Sequence, residues 1–356
     1  MEKAIENDTI RGYFNSAQAL ADFAEILLHI KKSLSANDSP ILVVGGSYGG
    51  MLAAWFRLKY PHVTIGALAS SAPILYFDNI TRQDAYYSIV TKDFKEASEN
   101  CYLTIKKSWA EIDRVASRHN GLTILSRRFN TCSQLNHSYE LTQFLEDMYV
   151  SASQYDAPPE YPVSMVCKGI DKTSSKKTDT LGRIFAGIVS FLGNQTCVDT
   201  VGHYTKTALD SQLGYAWQSC SEMVMPIGGG ANDYLFPVAP FDINEYNEYC
   251  KSQYGVSPRP HWITTYYGGQ GIKFVLNRFG SNIIFSNGRR DPWSGGGVLE
   301  DLSESLVAIT TQNGSHCLDL QPATKEDPEW LIAQRKKELE IMNGWLKTYY
   351  CDLQHA

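Results

Sequence analysis

The sequence predicts an α/β fold in which a partial parallel sheet is interrupted by a long helical, cysteine-rich insertion. Three observations predict it. A short all-apolar run, Ile41-Leu42-Val43-Val44, leads into a helix-like segment from Met51 to Tyr60 and a second apolar run from Val63 to Leu68. Strand, tight turn, helix and strand in that order make a βαβ unit, whose strands are buried on both faces and therefore lack polar alternation. Runs of the same kind return at Asn282–Ser286 and Ser305–Thr310. Between the two groups, from about Phe77 to Gly271, the texture changes to helical patterns carrying six of the eight cysteines. The implied division is a first core segment over 1–77, an insertion over 78–271 and a second core segment over 272–356.

Taken in order, residues 15–34 read as an amphipathic helix. Asn15 and Gln18 form a capping box, and Leu20, Phe23, Leu27, Ile30 and Leu34 recur at helical spacing as its buried stripe. Pro61 ends the helix that follows the first strand. Helical periodicity covers 85–118 and 139–154, and the polar stretch Asp171–Thr180 reads as a loop. A last helix starts near Asp327-Pro328, with proline in its first turn and a buried face including Leu339, Met342 and Leu346.

The 356 residues are 43% hydrophobic and 20% charged, enough apolar content for a proper core. A net charge of −6, with no extended basic stripe, argues against a nucleic-acid partner. No stretch reaches the roughly 20 apolar residues of a membrane span. Met1–Gly12 is polar and carries no apolar signal core. Two features nevertheless place the chain in the secretory pathway. The cysteines form no C-x-x-C pair and no zinc-finger spacing, so they suit disulfides rather than a metal. Sequons occur at Asn7, Asn37, Asn79, Asn136, Asn194 and Asn313, where chance would supply roughly two or three. Of these, Asn37 has a poor acceptor context beside Pro40, which leaves five expected glycosylation sites.

Gly45-Gly46-Ser47-Tyr48-Gly49 matches G-x-S-x-G between a buried strand and a helix. A serine at that sharp turn sits in strained backbone with its hydroxyl pushed out above the sheet, and only small neighbours let the chain pass. The helix N-terminus and the Tyr48 N–H then face a developing oxyanion. A phosphate-binding loop is excluded because no lysine follows at P-loop spacing. A nucleophilic serine needs an acid and a base, which follow it in the order Asp or Glu, then His. His316 stands in a glycine-bearing loop after the last apolar run, and Asp291 in the loop after the run 282–286. Asp319 and Asp301 are rival acids, the first too close in sequence to His316 and the second placed in a helix.

Four segments extend the pattern: Gly45–Met51, Trp262–Gly268, Asn287–Val298 and Gly314–Leu320. Together they resemble the signature segments of the lysosomal prolyl carboxypeptidase family of serine peptidases, which also holds the type II dipeptidyl peptidases. The resemblance implies an α/β-hydrolase domain with an inserted helical cap, a Ser47–Asp291–His316 triad, and a proline pocket lined by Met51, Met225 and Trp293. It implies disulfides Cys101–Cys167, Cys132–Cys197 and Cys220–Cys250, leaving Cys317 and Cys351 without partners. No metal or organic cofactor is expected. The expected partners are proline-containing peptide substrates and a second copy in a homodimer, with no nucleic acid and no membrane. The expected location is a lysosome, a vacuole or the extracellular space. Asp233 lies in a segment resembling the one that holds a substrate ammonium in the dipeptidyl members, but related carboxypeptidases keep an acid there too. The strings around Trp262 and Trp293 favour release of a C-terminal residue from Pro-X peptides over release of an N-terminal Xaa-Pro dipeptide. An inactive hydrolase-fold module is a third reading. In the resembling family the elbow follows the fifth of eight strands. The four runs here therefore correspond to strands five to eight, and the chain is expected to lack the first four, the second oxyanion donor and the secretory signal. That leaves the run 41–44 as an exposed apolar edge with a neighbouring strand on one side only.

Overall fold

A computed structural model describes residues 7–172, 179–193, 195–200, 202, 206–230 and 234–355, the side chains of 8 and 206–210 excepted. Four strands, β1 (Leu42–Gly46), β2 (Gly66–Ser70), β3 (Ile283–Gly288) and β4 (Leu306–Thr311), form one parallel sheet in the order β1-β2-β3-β4. Leu42 lies opposite Gly66, Ala67 opposite Ile283, and Ile283 opposite Leu306. The two central strands are buried throughout. Among the described residues β1 pairs only with β2, so it is an edge, and Val44 is 55% exposed. This is the exposed apolar edge expected of the 41–44 run; its unbroken apolar sequence suits a central strand, yet here Val44 is left uncovered.

Period-2 alternation divides the sheet's faces. Ala67, Ala69, Ile283 and Phe285 join a core with α1 (Ser16–Ser33), through Leu20 and Ala24, and with α2 (Tyr48–Lys59), through Met51, Ala54 and Trp55. The other face meets the long C-terminal helix: a side chain at Gly66 would collide with the Trp345 ring, and Ser286 bonds Glu338. Asn15 caps α1 by accepting from Gln18 N–H at 2.9 Å, but Gln18 turns its amide to Asp22, leaving the capping box half made. Along α1 the stripe is also only half buried, with Leu20 at 1% exposure and Leu34 at 72%.

A second core lies mainly among helices α3 (Ala85–Ala97), α4 (Glu99–Ala116), α5 (Gly121–Arg128), α6 (Ser138–Gln154), α7 (Pro162–Lys172) and α8 (Thr180–Leu192), with Tyr76, Leu235 and Phe236 joining from connecting segments. Phe94, Ile105, Leu141, Tyr149, Val166 and Ile184 fill it. The chain returns to the sheet through α9 (Lys206–Ser221), α10 (Ile243–Tyr254), α11 (Trp262–Tyr267) and α12 (Ile272–Phe279). Ile263 and Tyr267 of α11 already pack in the sheet-side core. Three disulfides form: Cys101–Cys167, Cys132–Cys197 and Cys220–Cys250, with Cα separations of 5.2, 4.9 and 5.4 Å. Cys317 and Cys351 are free. Most of the polar stretch expected as a loop near 171–180, residues 173–178, lies outside the described residues. The final helix, α13 (Glu329–His355), buries Leu331, Gln334 and Glu338, whereas Leu339 is 57% exposed. The expected stripe through Leu339 is thus rotated by one position, because polar side chains of α13 have partners beneath the sheet.

Candidate active site

Because all strands run parallel, their C-terminal ends gather on one edge of the sheet, and the loops leaving them meet there. β1 delivers Ser47, whose φ of 59° and ψ of −127° lie in the left-handed half of backbone space. Its N–H donates to the Ser70 carbonyl at 2.9 Å, tying the turn to the end of β2. A β-carbon at Gly45 would lie 2.0 Å from the Gly49 carbonyl, and one at Gly50 would lie 2.7 Å from that of Ser70, whereas Gly49 has open space. The turn therefore excludes side chains at Gly45 and Gly50 rather than at both glycines of the five-residue motif. Tyr48 opens α2, so its N–H belongs to the first turn, where helical partners are missing. Its hydroxyl accepts from Gln218 Nε2 at 2.5 Å, and burial holds the phenol protonated, its pKa raised.

β3 delivers Asp291, which is fully buried. One carboxylate oxygen accepts from Trp293 N–H at 3.0 Å, capping the short helix Pro292–Gly296; the other meets His316 Nδ1 at 2.9 Å. β4 delivers His316, 6% exposed. Burial works to lower the imidazole pKa, but the Asp291 charge and hydrogen bond, with help from Cys317, raise it well above the ordinary value. The two loops are stitched together. Arg290 N–H donates to Gly314 O at 3.0 Å, and a β-carbon at Gly288 would strike that same carbonyl. Cys317 carries the histidine loop to the elbow: its N–H donates to Ser71 Oγ at 2.9 Å, and its sulfur occupies the space a side chain at Gly46 would need. Among the described residues no hydrogen bond joins Ser47 Oγ to His316; such contacts tighten when substrate arrives.

The rival acids fall elsewhere. Asp319 is buried against Ser70 Oγ at 2.5 Å. Asp301 is in a loop, not a helix, where it accepts from Ala308 N–H at 2.7 Å. Half-buried Trp293 packs edge-on against Tyr86 and Tyr76, with ring centroids 4.9 and 6.1 Å away. Met225 contacts both cores, and Met51 is buried at 1% exposure on the sheet side. Asp233 lies outside the described residues, as does Asn194. Asn7, Asn79, Asn136 and Asn313 are exposed. Among the described residues no three His, Cys, Asp or Glu side chains are grouped to hold a metal.

Sequence reasoning missed the contribution of the helical layer. The C-terminal end of α6 reaches the site residue by residue. Ser153 Oγ donates to Asp93 at 2.7 Å, and the Gln154 carbonyl accepts from His316 N–H at 2.9 Å. The Tyr155 ring meets the imidazole edge-on with centroids 6.2 Å apart, and buried Asp156 pairs with Arg290 at 2.5 Å. A cavity of about 510 Å3 opens beside His316, lined by Tyr155, Pro158, Ser315, Leu318 and Arg335 among others. No local motif marks residues 153–156, since their role arises only when α6 docks on loops distant in sequence.

A parallel α/β sheet with a strained serine at a strand-to-helix turn, beside a buried His–Asp pair, has the architecture of a serine hydrolase. The comparison with protein families makes this specific: the chain belongs to the serine carboxypeptidase S28 family, whose model matches residues 3–338. It is similar to lysosomal Pro-X carboxypeptidase of Mus musculus, at 38% identity over 96% of this chain and 71% of that protein. The human protein of the same name is 36% identical over 95% of this chain and 70% of its own length. Thymus-specific serine protease of Mus musculus is more distant, at 28% identity over 94% of this chain and 70% of that protein.

Proposed function

We propose that this chain is a serine exopeptidase that releases the C-terminal residue from Pro-X peptides. The observation carrying the reading is the buried His316–Asp291 pair, 2.9 Å apart, on a loop seated against the Ser47 elbow in a chain of the S28 family. In this mechanism the neutral form of His316, which the Asp291 charge makes the minor one, takes the Ser47 proton as the hydroxyl attacks the carbonyl after proline. Asp291 holds the ring tautomer and stabilises the imidazolium that results. The Tyr48 N–H donates to the tetrahedral oxyanion. Collapse expels the C-terminal residue, protonated by His316, and water then hydrolyses the acyl-enzyme. Met51, Met225 and Trp293 line the pocket for the proline ring.

The four strands correspond, in this reading, to strands five to eight of an α/β-hydrolase sheet. Residues 78–271 form a cap between core segments 1–77 and 272–356, a division supported by the two separate cores. The lysosomal relatives and three disulfides support passage through the secretory pathway to a lysosome. Exposure of Asn7, Asn79, Asn136 and Asn313 supports glycosylation there. Among the described residues no helix is long and apolar enough to cross a membrane. A homodimer is part of the reading, and the exposed apolar side chains at Phe23, Ile26 and Val44 supply a surface for it.

The test is turnover of two N-blocked peptides differing only in ending Pro-X or Ala-X. Cleavage of the first, with the second slower by roughly two orders of magnitude or more, is expected. Equal rates would remove the proline reading. Preference for an unblocked Xaa-Pro reporter, abolished by N-acetylation, would make it a dipeptidyl peptidase instead.

A further inference from the structure

Trp293 connects the acid loop to the helical layer, and its orientation is fixed from outside that loop. Its indole N–H donates to Gln154 Oε1 at 3.1 Å, and the same oxygen lies 3.4 Å from the Tyr86 hydroxyl. An indole N–H can only donate, so the Gln154 amide must present its oxygen, and its rotamer is thereby set. The backbone carbonyl of the same residue accepts from His316 N–H at 2.9 Å. One residue at the end of α6 thus holds the backbone of the base and the ring of the pocket aromatic. Its neighbours reinforce its position: Asp156 pairs with Arg290, and Asp93, bonded by Ser153, lies 4.0 Å from the same guanidinium.

We infer that Gln154 is a positioning residue for proline selectivity: through the indole N–H it fixes the angle at which Trp293 meets the substrate ring, in register with His316. This rests on the peptidase reading above. Without the acceptor, the indole keeps its edge-on packing against Tyr76 and Tyr86 but loses the bond that fixes its rotation about that packing. A flat ring wall discriminates a rigid pyrrolidine from an alanine methyl only while it stays aligned, so the loss falls on Pro-X substrates more than on Ala-X.

The experiment compares kcat/KM for the Pro-X and Ala-X peptides in the full chain. Gln154→Met removes the acceptor at similar length, and the Pro-to-Ala preference should fall roughly fivefold to tenfold, the effect of one lost hydrogen bond. Gln154→Glu keeps an acceptor oxygen and should restore most of that preference. In a Trp293→Phe background, which removes the donor instead, Gln154→Met should change the preference less than twofold. Equal preference in wild type and Gln154→Met, or undiminished effect of Gln154→Met in the Trp293→Phe background, would overturn the inference while leaving the peptidase reading intact. A wild-type chain inert to both peptides would overturn the reading and this inference with it. Should Gln154→Met fail to fold, Gln154→Glu and Trp293→Phe still decide it, because only the second should lower the preference.

Discussion

At Ser47 the backbone adopts a conformation that suits glycine, and the side chain it carries is held there by its surroundings. The φ of 59° puts Cβ against backbone, a cost of about 1–3 kcal/mol, and the N–H···O bond to Ser70 helps hold the turn in place. Replacing the serine separates chemistry from strain. Ser47→Ala and Ser47→Gly should both abolish labelling by a fluorophosphonate and remove turnover, by about five to six orders of magnitude. They should differ in stability. Glycine relieves the strain but enlarges the entropy of the unfolded chain by roughly 0.5–1 kcal/mol, so Ser47→Gly should exceed Ser47→Ala by about 1 kcal/mol in denaturant unfolding. Equal stabilities would mean that the turn stores no strain. Ser47, Asp291 and His316 could be proposed from the sequence because each stands in a short loop after an apolar run, and parallel strands bring such loops together. Gln154 was not, since an interior-facing amide at a helix end looks like any other until its partners are known.

Elements beneath the sheet set how the fold responds to pH. On α13, Glu338 accepts from Ser286 Oγ at 2.7 Å, while Gln334 donates to that hydroxyl at 2.7 Å. Burial, with Asp319's negative charge nearby, raises the Glu338 carboxyl to about 7. Burial likewise raises Asp93 to about 7, despite its bond from Ser153 and the charge of Arg290. A carboxyl whose folded pKa lies above its unfolded value of roughly 4.3 favours the fold fully below that value, and its contribution is lost as pH rises through about 7. The melting temperature should therefore fall between about pH 4.5 and 7.5. Glu338→Gln, which keeps an acceptor for Ser286, should flatten part of that fall and raise the melting temperature at pH 7.5 by a few degrees. An unchanged slope would remove Glu338 from the account. This acid ridge explains why periodicity alone misplaced the face of α13. An apolar count favours Leu339, whereas the buried position next to it is a glutamate that Ser286, contributed by β3, helps make tolerable.

For the whole molecule, the two cores and the uncovered edge carry different consequences. Cys101–Cys167 lies within the helical core, both residues nearly inaccessible, and closes a 66-residue separation. β1 presents unpaired backbone along its outer side, flanked by an apolar hollow of about 360 Å3 lined by Phe23, Leu27, Val43, Val44 and Leu52 among others. Such an edge recruits other chains. Val44→Lys, at a position already 55% exposed, should shift the chain toward monomer in sedimentation velocity while changing stability by less than about 0.5 kcal/mol. Association that persists unchanged would locate the contact elsewhere. The alternation of strands and helices made the sheet's order readable from sequence. The run at 41–44 was also expected at the sheet's margin, and the exposure of Val44 agrees with it.

The clasp between α6 and the histidine loop also bears on timing. During synthesis the elbow serine emerges long before β4 and the loop that carries His316, its proposed base. The backbone of His316 is held only once the end of α6 has packed beside it, and α6 belongs to a helical core that must itself have condensed. In the proposed mechanism a half-made chain therefore carries a serine with nothing to activate it. The power to cut peptides, on that mechanism, arrives only when the helical core and the loop after β4 are both in place.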